Sequence, residues 1–226
     1  MLSIKARKRK KVISFFMRLV TLIKPGDLSL FQIKIIRNLV SIASHRRSRV
    51  TNITIEKIKI DKLDLYHVKP NELSDKKKIL FFHGGGFFIG NFKIYRNYVS
   101  FLAEVVGREI IFVDYKLSPE SKYPIQLEQA KLAYSFILDK FKGSHVILAG
   151  DSAGGNLALS LFLAVREEKI KKPVGIFCVS PWVNPTAQLS EYPDRFCESD
   201  VLIGPFIKRA KETGSGPLSY LYCNEL

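Results

Sequence analysis

The spacing of apolar residues near the start of the chain predicts an amphipathic helix. Within residues 28–47 it has a period of three or four, set by Leu28, Phe31, Ile35, Leu39 and Ile42. Asp27 or a nearby serine would begin this helix, because short polar side chains cap helix N-termini. Since one face of such a helix is apolar, we expect it to cover an apolar surface.

Two segments that follow alternate apolar and polar residues, as half-buried strands do. They are "ITIEKIKI" (53–60) and "LDLYHVKP" (63–70), and the polar pair "DK" separates them. Two such runs joined by a short polar connection predict adjacent antiparallel strands. We expect this pair to form the antiparallel edge of a sheet.

From residue 76 onward, short apolar runs alternate with longer helical patterns. The runs are "KILFF" (78–82), "EIIFVD" (109–114), "VILAG" (146–150) and "VGIFCV" (174–179). Strands that are apolar at nearly every position are buried on both faces, and intervening helices allow parallel pairing. The sequence therefore predicts an α/β fold with a mostly parallel sheet and flanking helices. Right-handed crossovers would place the loops that follow these strands along one edge of the sheet.

The net charge of +15 is concentrated at the N-terminus. The first 50 residues hold 13 Lys or Arg and one acidic residue, Asp27, so they contribute 13 − 1 = +12 and the remaining 176 residues only +3. Because residues 51–226 carry little net charge and the excess lies in the first 50 residues, the charge distribution argues against a nucleic-acid-binding fold. It favours contact with an anionic surface such as phospholipid headgroups, with a solvated basic tail as the alternative.

The leader also contains an apolar stretch, Val12 to Ile23, which Arg18 interrupts. Twelve residues are too few to span a bilayer as a helix, and no small-residue cleavage pattern follows them. We therefore interpret residues 1–50 as a basic helical segment, a lid or membrane-surface anchor, and residues 51–226 as the α/β domain. A location in the cytoplasm or on the cytoplasmic face of a membrane is favoured over secretion. The three cysteines indicate neither a disulfide framework nor a zinc site.

The pentapeptide "GDSAG" (150–154) follows the predicted strand "VILAG" and opens a predicted helix. This is the context of a nucleophile elbow, in which Ser152 lies on a tight strand-to-helix turn. Side chains at Gly150 and Gly154 would collide with neighbouring elements, and the helix N-terminus would favour negative charge at Ser152. The alternative is a serine that only caps the helix.

A second motif, "HGGGFF" (83–88), follows an earlier strand. A glycine-rich loop can direct backbone N–H groups at a developing oxyanion without steric hindrance. We expect Gly84 and Gly85 to be the donors, together with the N–H of Ala153. A phosphate-binding loop is the alternative, but the fingerprints GxGxxG and GxxxxGK[ST] are both absent.

The two motifs resemble those of the hormone-sensitive-lipase-like α/β-hydrolases. "DYKLSPESKYP" (114–124) and "SPWVNP" (180–185) resemble further segments of that family. The resemblance implies hydrolysis of carboxylic esters, often with acetyl or other short acyl groups and sometimes of lipids or sterols, without a metal or organic cofactor. It implies Ser152 as nucleophile and the oxyanion donors named above. The expected scaffold of the two motifs consists of His83, Gly86, Gly150, Asp151 and Gly154.

The chain departs from this pattern in its histidines. The resemblance implies a triad in the order Ser, acid, His, yet all four histidines precede Ser152, at positions 45, 67, 83 and 145. His145 would lie about 20 Å from the elbow along its strand. Asp194 and Asp200 follow Ser152 but are typical of loop or cap residues. We therefore interpret the hydrolase domain as incomplete at its C-terminal end.

Three hypotheses follow from this departure. In the first, the chain is a serine ester hydrolase that forms an acyl-enzyme on Ser152. In the second, it is an impaired pseudo-hydrolase that acts as a binding or membrane-associated protein. In the third, the sequence is an incomplete gene product, and the full-length protein is the hydrolase.

Aromatic residues near the two motifs suggest an apolar wall for the ester substrate. They are Phe87, Phe88 and Trp182, with ordinary core packing as the alternative for Trp182. The N-terminal helix is expected to cap this pocket, as the resemblance implies. An apolar lid with a basic flank would suit an ester of a membrane-derived alcohol. No pattern in the sequence indicates an oligomeric state.

Overall fold

The computed structural model describes residues 29–44, 52–143 and 145–183. The chain divides into two compact units, one of residues 34–183 and one of residues 1–33 with 184–226, and only residues 29–33 of the second are described. The predictions for the leader, His45, Asp194 and Asp200 lie outside the described residues.

The described elements alternate between strands and helices from β3 onward, as predicted. In chain order they are α1 (Leu30–Ser44), β1 (Ile53–Ile60), β2 (Leu63–Pro70), β3 (Lys78–Phe82), α2 (Phe92–Val106), β4 (Glu109–Asp114), α3 (Ile125–Lys140), β5 (Val146–Asp151), α4 (Ala153–Glu167) and β6 (Gly175–Val179). None of these helices is long and apolar enough to cross a membrane.

The strands form one six-stranded sheet in the order β1-β2-β4-β3-β5-β6. β1 pairs antiparallel with β2, and β2 pairs antiparallel with β4. The remaining pairs are parallel, and the last residue of β3, Phe82, lies opposite Gly150 of β5. The predicted antiparallel edge and mostly parallel sheet are therefore confirmed. The register brings the loops after β3 and β5 together at one edge.

Both faces of the central strands are covered. Ile79 and Phe81 of β3 pack in a buried cluster with Val99 and Ala103 of α2. The alternate residues of β3 are also buried because α4 packs against β3, β5 and β6 on the other face. At the outer strand β6, by contrast, Phe177 is 55% exposed. The core therefore lies on both faces of the central strands, and both motifs follow the ends of two of these strands, β3 and β5.

Helix α1 begins at a capping box. Gln32 N–H donates to Ser29 Oγ at 3.3 Å, and Ser29 N–H donates to Gln32 Oε1 at 2.8 Å. The reciprocal bonds satisfy two N–H groups at the helix start. The prediction that a serine begins this helix is therefore confirmed.

The apolar stripe of α1 faces solvent. The side chains that were expected to cover an apolar surface are exposed by 72%, 42%, 60% and 71% at Phe31, Ile35, Leu39 and Ile42, respectively. That expectation was wrong, because the helix is attached through a different face. On that face Ile33 is buried, and Ile36, Arg37 and Val40 are half-buried. Arg37 donates hydrogen bonds to other segments of its unit.

Candidate active site

Ser152 occupies a strained turn between β5 and α4. Its backbone angles are φ 51° and ψ −120°, a conformation that favours glycine, and its side chain makes no helix-capping hydrogen bond. Strain of this kind is of order 1–3 kcal/mol and persists only where surrounding contacts enforce it. The geometry is that of a nucleophile elbow, and it disfavours the alternative of a simple capping serine.

Glycines around Ser152 allow backbone segments to approach closely. A Cβ at Gly154 would clash with the carbonyl oxygens of Phe82 and His83 at the end of β3. A Cβ at Gly150 would clash with the backbone of Gly154 itself. The first turn of α4 therefore packs directly against the main chain of the glycine-rich loop.

The last residue of β6 and the backbone that follows it also hold the elbow. Ser152 N–H donates to Val179 O at 3.0 Å, and Trp182 N–H donates to Ser152 O at 3.0 Å. The Asn156 side chain, one turn into α4, donates from Nδ2 to Trp182 O at 2.8 Å. The main chain of Trp182 thus lies beside the elbow. That its indole ring forms part of a substrate wall stays a prediction.

The glycine-rich loop differs from its expected donor pattern at Gly84. The Gly84 N–H donates to Asp151 Oδ1 at 2.9 Å and to the Tyr95 hydroxyl at 3.0 Å. It is therefore already satisfied, which corrects its prediction as an oxyanion donor. Within the described residues, the N–H groups of Gly85, Gly86 and Ala153 make no hydrogen bond.

Asp151 joins the loop to the elbow. Besides accepting from Gly84, its carboxylate accepts from the Tyr95 hydroxyl at 2.7 Å. Burial raises the pKa of Asp151, and these two hydrogen bonds oppose that rise. Burial, followed by the Asp151 charge, also raises the pKa of the Tyr95 hydroxyl, which therefore stays a donor. Tyr95 was missed from sequence because it lies in the first turn of α2, outside either motif.

His83 supports the loop from inside the core. It is fully buried, its Nδ1 lies 2.8 Å from Gly84 O, and its ring stacks on Tyr115 with centroids 4.2 Å apart. Since a carbonyl can only accept, Nδ1 carries the proton. Burial lowers the pKa of His83 to about 4, so it is neutral near pH 7. These contacts are those of a scaffold residue.

Neither of the other described histidines is placed to activate Ser152. His67 is buried in β2, with Nε2 3.3 Å from a carboxylate oxygen of Glu109. His145 is exposed and precedes β5, at the end of the strand opposite Ser152. The structure brings together the elbow, the glycine-rich loop and His83, and it leaves these two histidines apart from them.

The two phenylalanines after the glycines are held by different contacts. Phe87 is 7% exposed, and its ring lies 6.1 Å from that of Tyr115 between centroids. Phe88 is half-buried beneath the guanidinium of Arg37, 5.3 Å from the ring centroid. A role for either ring in a substrate wall stays a prediction. No group of three potential metal ligands (His, Cys, Asp or Glu) occurs in the described parts of the chain.

Comparison with known proteins agrees with this geometry. A family model described as the alpha/beta hydrolase fold matches residues 79–211, more than half of the chain. The chain belongs to this alpha/beta hydrolase family. Among the solved alpha/beta hydrolases, an esterase/lipase from an uncultured bacterium superposes with a TM-score of 0.73 at 24% identity, covering 98% of this chain and 73% of that one. At this identity the likeness shows the fold.

Curated relatives of this hydrolase chain include enzymes named for ester hydrolysis. An acetyl-hydrolase of Streptomyces hygroscopicus is 30% identical over 139 residues, covering 61% of this chain and 46% of that protein. Hormone-sensitive lipase of Homo sapiens is 35% identical over 108 residues, covering 46% of this chain and 10% of that protein. These relatives confirm the resemblance stated above. The chain spans less than half the length of the curated relatives it matches.

Proposed function

We propose that the protein is a serine carboxylic ester hydrolase with Ser152 as its nucleophile. The observation that carries this proposal is the strained elbow, bonded through Asp151 to a glycine-rich loop whose Gly85 and Gly86 N–H groups make no hydrogen bond within the described part of the chain. Strain at one serine, beside backbone N–H groups of a glycine-rich loop and a helix N-terminus, is typical of an acyl-transfer site. The names of relatives such as acetyl-hydrolase and esterase support this reaction class.

In the proposed reaction, Ser152 Oγ attacks the ester carbonyl carbon and forms an acyl-enzyme. The alcohol leaves with a proton, and water then releases the carboxylic acid. During each attack the carbonyl oxygen gains negative charge, which the N–H groups of Gly85, Gly86 and Ala153 would stabilise. Each such donor is worth about 3 kcal/mol of barrier in known oxyanion holes. Gly84 instead keeps the loop in place through its bond to Asp151.

The Ser152 proton also needs an acceptor during the attack. His83 is engaged with its own loop, and His67 and His145 lie elsewhere in the fold. The proposal therefore requires a base from outside the described residues or from another chain. Without a base, serine hydrolases keep only about 10³–10⁴-fold acceleration over water.

For the substrate, we propose a small ester with an acetyl or other short acyl group. The name acetyl-hydrolase supports the short acyl group, and hormone-sensitive lipase supports an alcohol of lipid or sterol type. The exposed apolar side chains of Phe31, Leu39 and Ile42 on α1 also favour an alcohol derived from a lipid, because they would suit contact with a membrane. The net +12 of the first 50 residues would attract an anionic membrane surface. We propose that α1 docks there, on the cytoplasmic face.

One observation favours a non-catalytic alternative. All four histidines precede Ser152, the reverse of the order in the triads of this fold. The chain would then be a pseudo-hydrolase that binds an ester or a membrane without turnover. Ester binding without product release would support this second function.

Hydrolysis of p-nitrophenyl esters tests the two functions against each other. We expect the purified chain to release p-nitrophenol faster from the acetate than from the octanoate. Ser152→Ala, which removes only the Oγ atom, should release p-nitrophenol no faster than the uncatalysed reaction. Equal rates for both chains, with the wild type folded and binding the ester, would support the pseudo-hydrolase and overturn the proposed activity.

A further inference from the structure

The Arg37 side chain joins α1 to two loops at the edge of the candidate site. Its Nε donates to Phe88 O at 2.8 Å, and Nη2 donates to Ser118 O. Nη1 and Nη2 also donate to the two carboxylate oxygens of Glu120, at 2.7 and 3.0 Å. The Arg37 side chain is only 16% exposed. One side chain therefore holds three segments that are far apart in sequence.

The geometry of these contacts requires a guanidinium. A planar fork can donate along one edge to a carboxylate and along another to carbonyl oxygens, whereas an ammonium is a compact point charge. The bidentate pair with Glu120 adds specificity. Burial pushes the pKa of Glu120 up, but the bonds and charge of Arg37 help hold it below its usual value. Glu120 thus stays ionised and fixes the guanidinium.

The contact with Phe88 bears directly on the glycine-rich loop. The Gly85 carbonyl accepts from the N–H groups of Phe88 and Ile89, at 3.0 and 2.9 Å, so residues 85–89 form one tight turn. At its start, Gly84 is bonded to Asp151. At its end, two groups from outside the turn hold it: Ser118 N–H donates to Phe87 O, and Arg37 Nε donates to Phe88 O.

We propose that Arg37 is a positioning residue, which sets the direction of the Gly85 and Gly86 N–H groups by holding the Phe88 carbonyl. This inference rests on the proposed function, in which those groups bind the oxyanion. Arg37 itself does not touch the reacting atoms. Whatever shifts α1 would therefore also shift the oxyanion donors.

Two measurements on Arg37→Gln test this inference. Amide hydrogen exchange of a peptide covering residues 84–91 should be at least tenfold faster at the Phe88 and Ile89 amides than in the wild type. The second-order rate at which a fluorophosphonate modifies Ser152 should fall at least tenfold, because the phosphonyl oxygen needs the same donors. With p-nitrophenyl acetate, kcat should fall while KM stays unchanged.

Lys34→Gln is the matched control, because it removes one exposed positive charge from the same helix and leaves every hydrogen bond of Arg37 in place. The Lys34 charge also lowers the pKa of Glu120, but it is the smallest of the causes that do so. It should leave loop exchange and Ser152 modification at wild-type levels. Arg37→Lys should recover less than half of the loss. Wild-type exchange at Phe88 and Ile89 in Arg37→Gln would overturn the inference. If the wild-type chain itself is not modified, the proposed function fails, and loop exchange still decides the role of Arg37.

Discussion

The elbow region and helix α1 are attached to the fold in opposite ways. At the elbow, main chain packs on main chain, so that no methyl group fits between Gly154 and the carbonyls that end β3. Helix α1 instead is attached through side chains, with Ile33 buried and Arg37 bonded to two loops, and it leaves Leu39 and Ile42 exposed. Backbone contacts are fixed by the fold of the main chain, whereas side-chain contacts depend on which rotamer each side chain adopts. The region proposed for chemistry is thus held by backbone contacts, and the region proposed for docking is held by side-chain contacts.

The largest expected effect comes from breaking the backbone contact at the elbow. In Gly154→Ala, the added Cβ would clash with the Phe82 and His83 carbonyls. We expect the free energy of unfolding to fall by about 3 kcal/mol or more, measured by urea denaturation. Gly175→Ala is the control, because a Cβ there meets nothing within 4 Å, and it should change stability by less than about 0.5 kcal/mol. Equal stability of the two variants would contradict the close packing described for the elbow.

Acid should weaken the same backbone-packed region through His83. Burial lowers its pKa from a usual value near 6.5 to about 4, so the unfolded chain takes up a proton first as the pH falls. The stability that comes from the neutral ring is complete above pH 6.5 and is lost as the pH falls toward 4. Between pH 7 and 4.5, His83→Gln should lose about 2 kcal/mol less than the wild type.

Urea denaturation at both pH values measures this difference for His83. His145→Gln, which removes an exposed imidazole, is the matched control, and the reduced pH dependence should be specific to His83→Gln. An unchanged pH dependence in His83→Gln would show that the buried ring is not the titrating group.

Relief of strain at Ser152 should have a smaller effect of opposite sign. Glycine adopts φ 51° and ψ −120° readily, whereas alanine does not. Ser152→Gly should therefore be more stable than Ser152→Ala by about 1 kcal/mol. Thermal denaturation of the two variants measures the difference. A glycine variant no more stable than the alanine variant would mean that the elbow stores no strain.

The smallest effect on stability is expected on the exposed face of α1. Leu39→Ser with Ile42→Ser should change the free energy of unfolding by less than about 0.5 kcal/mol, because neither side chain is packed. The same pair should lower binding to vesicles of phosphatidylglycerol in a flotation assay. Asn38→Ser, on an exposed position of the same helix, should not. Equal flotation of all three chains would contradict membrane docking through this stripe.

The sequence predicted the sheet well because its signals are local. Apolar runs bounded by glycines marked β3 and β5, and alternation marked β1 and β2. The apolar period of α1 predicted the helix but not its orientation, because periodicity identifies an apolar face without showing what covers it. The Arg37 contacts with Phe88 and Glu120 span 51 and 83 residues of sequence, and no local pattern indicates them.

The candidate site was predictable only in part for a similar reason. Motif spacing located Ser152 and the glycine-rich loop, but it did not distinguish Gly84 from Gly85 and Gly86. That distinction depends on where the Asp151 carboxylate lies, and on Tyr95 beside it. These pairings depend on how α2 packs against the sheet. The spacing of residues within a motif carries no information on that packing.

The central claim is that Ser152 is an activated nucleophile, and covalent labelling tests it most directly. The purified 226-residue chain would be treated with a fluorophosphonate and digested, and the peptide containing Ser152 would be analysed by mass spectrometry. Ser152→Ala is the blank. We predict one phosphonyl adduct per chain, on Ser152 alone. A folded wild-type chain that stays unmodified at Ser152 would contradict the claim and favour a pseudo-hydrolase.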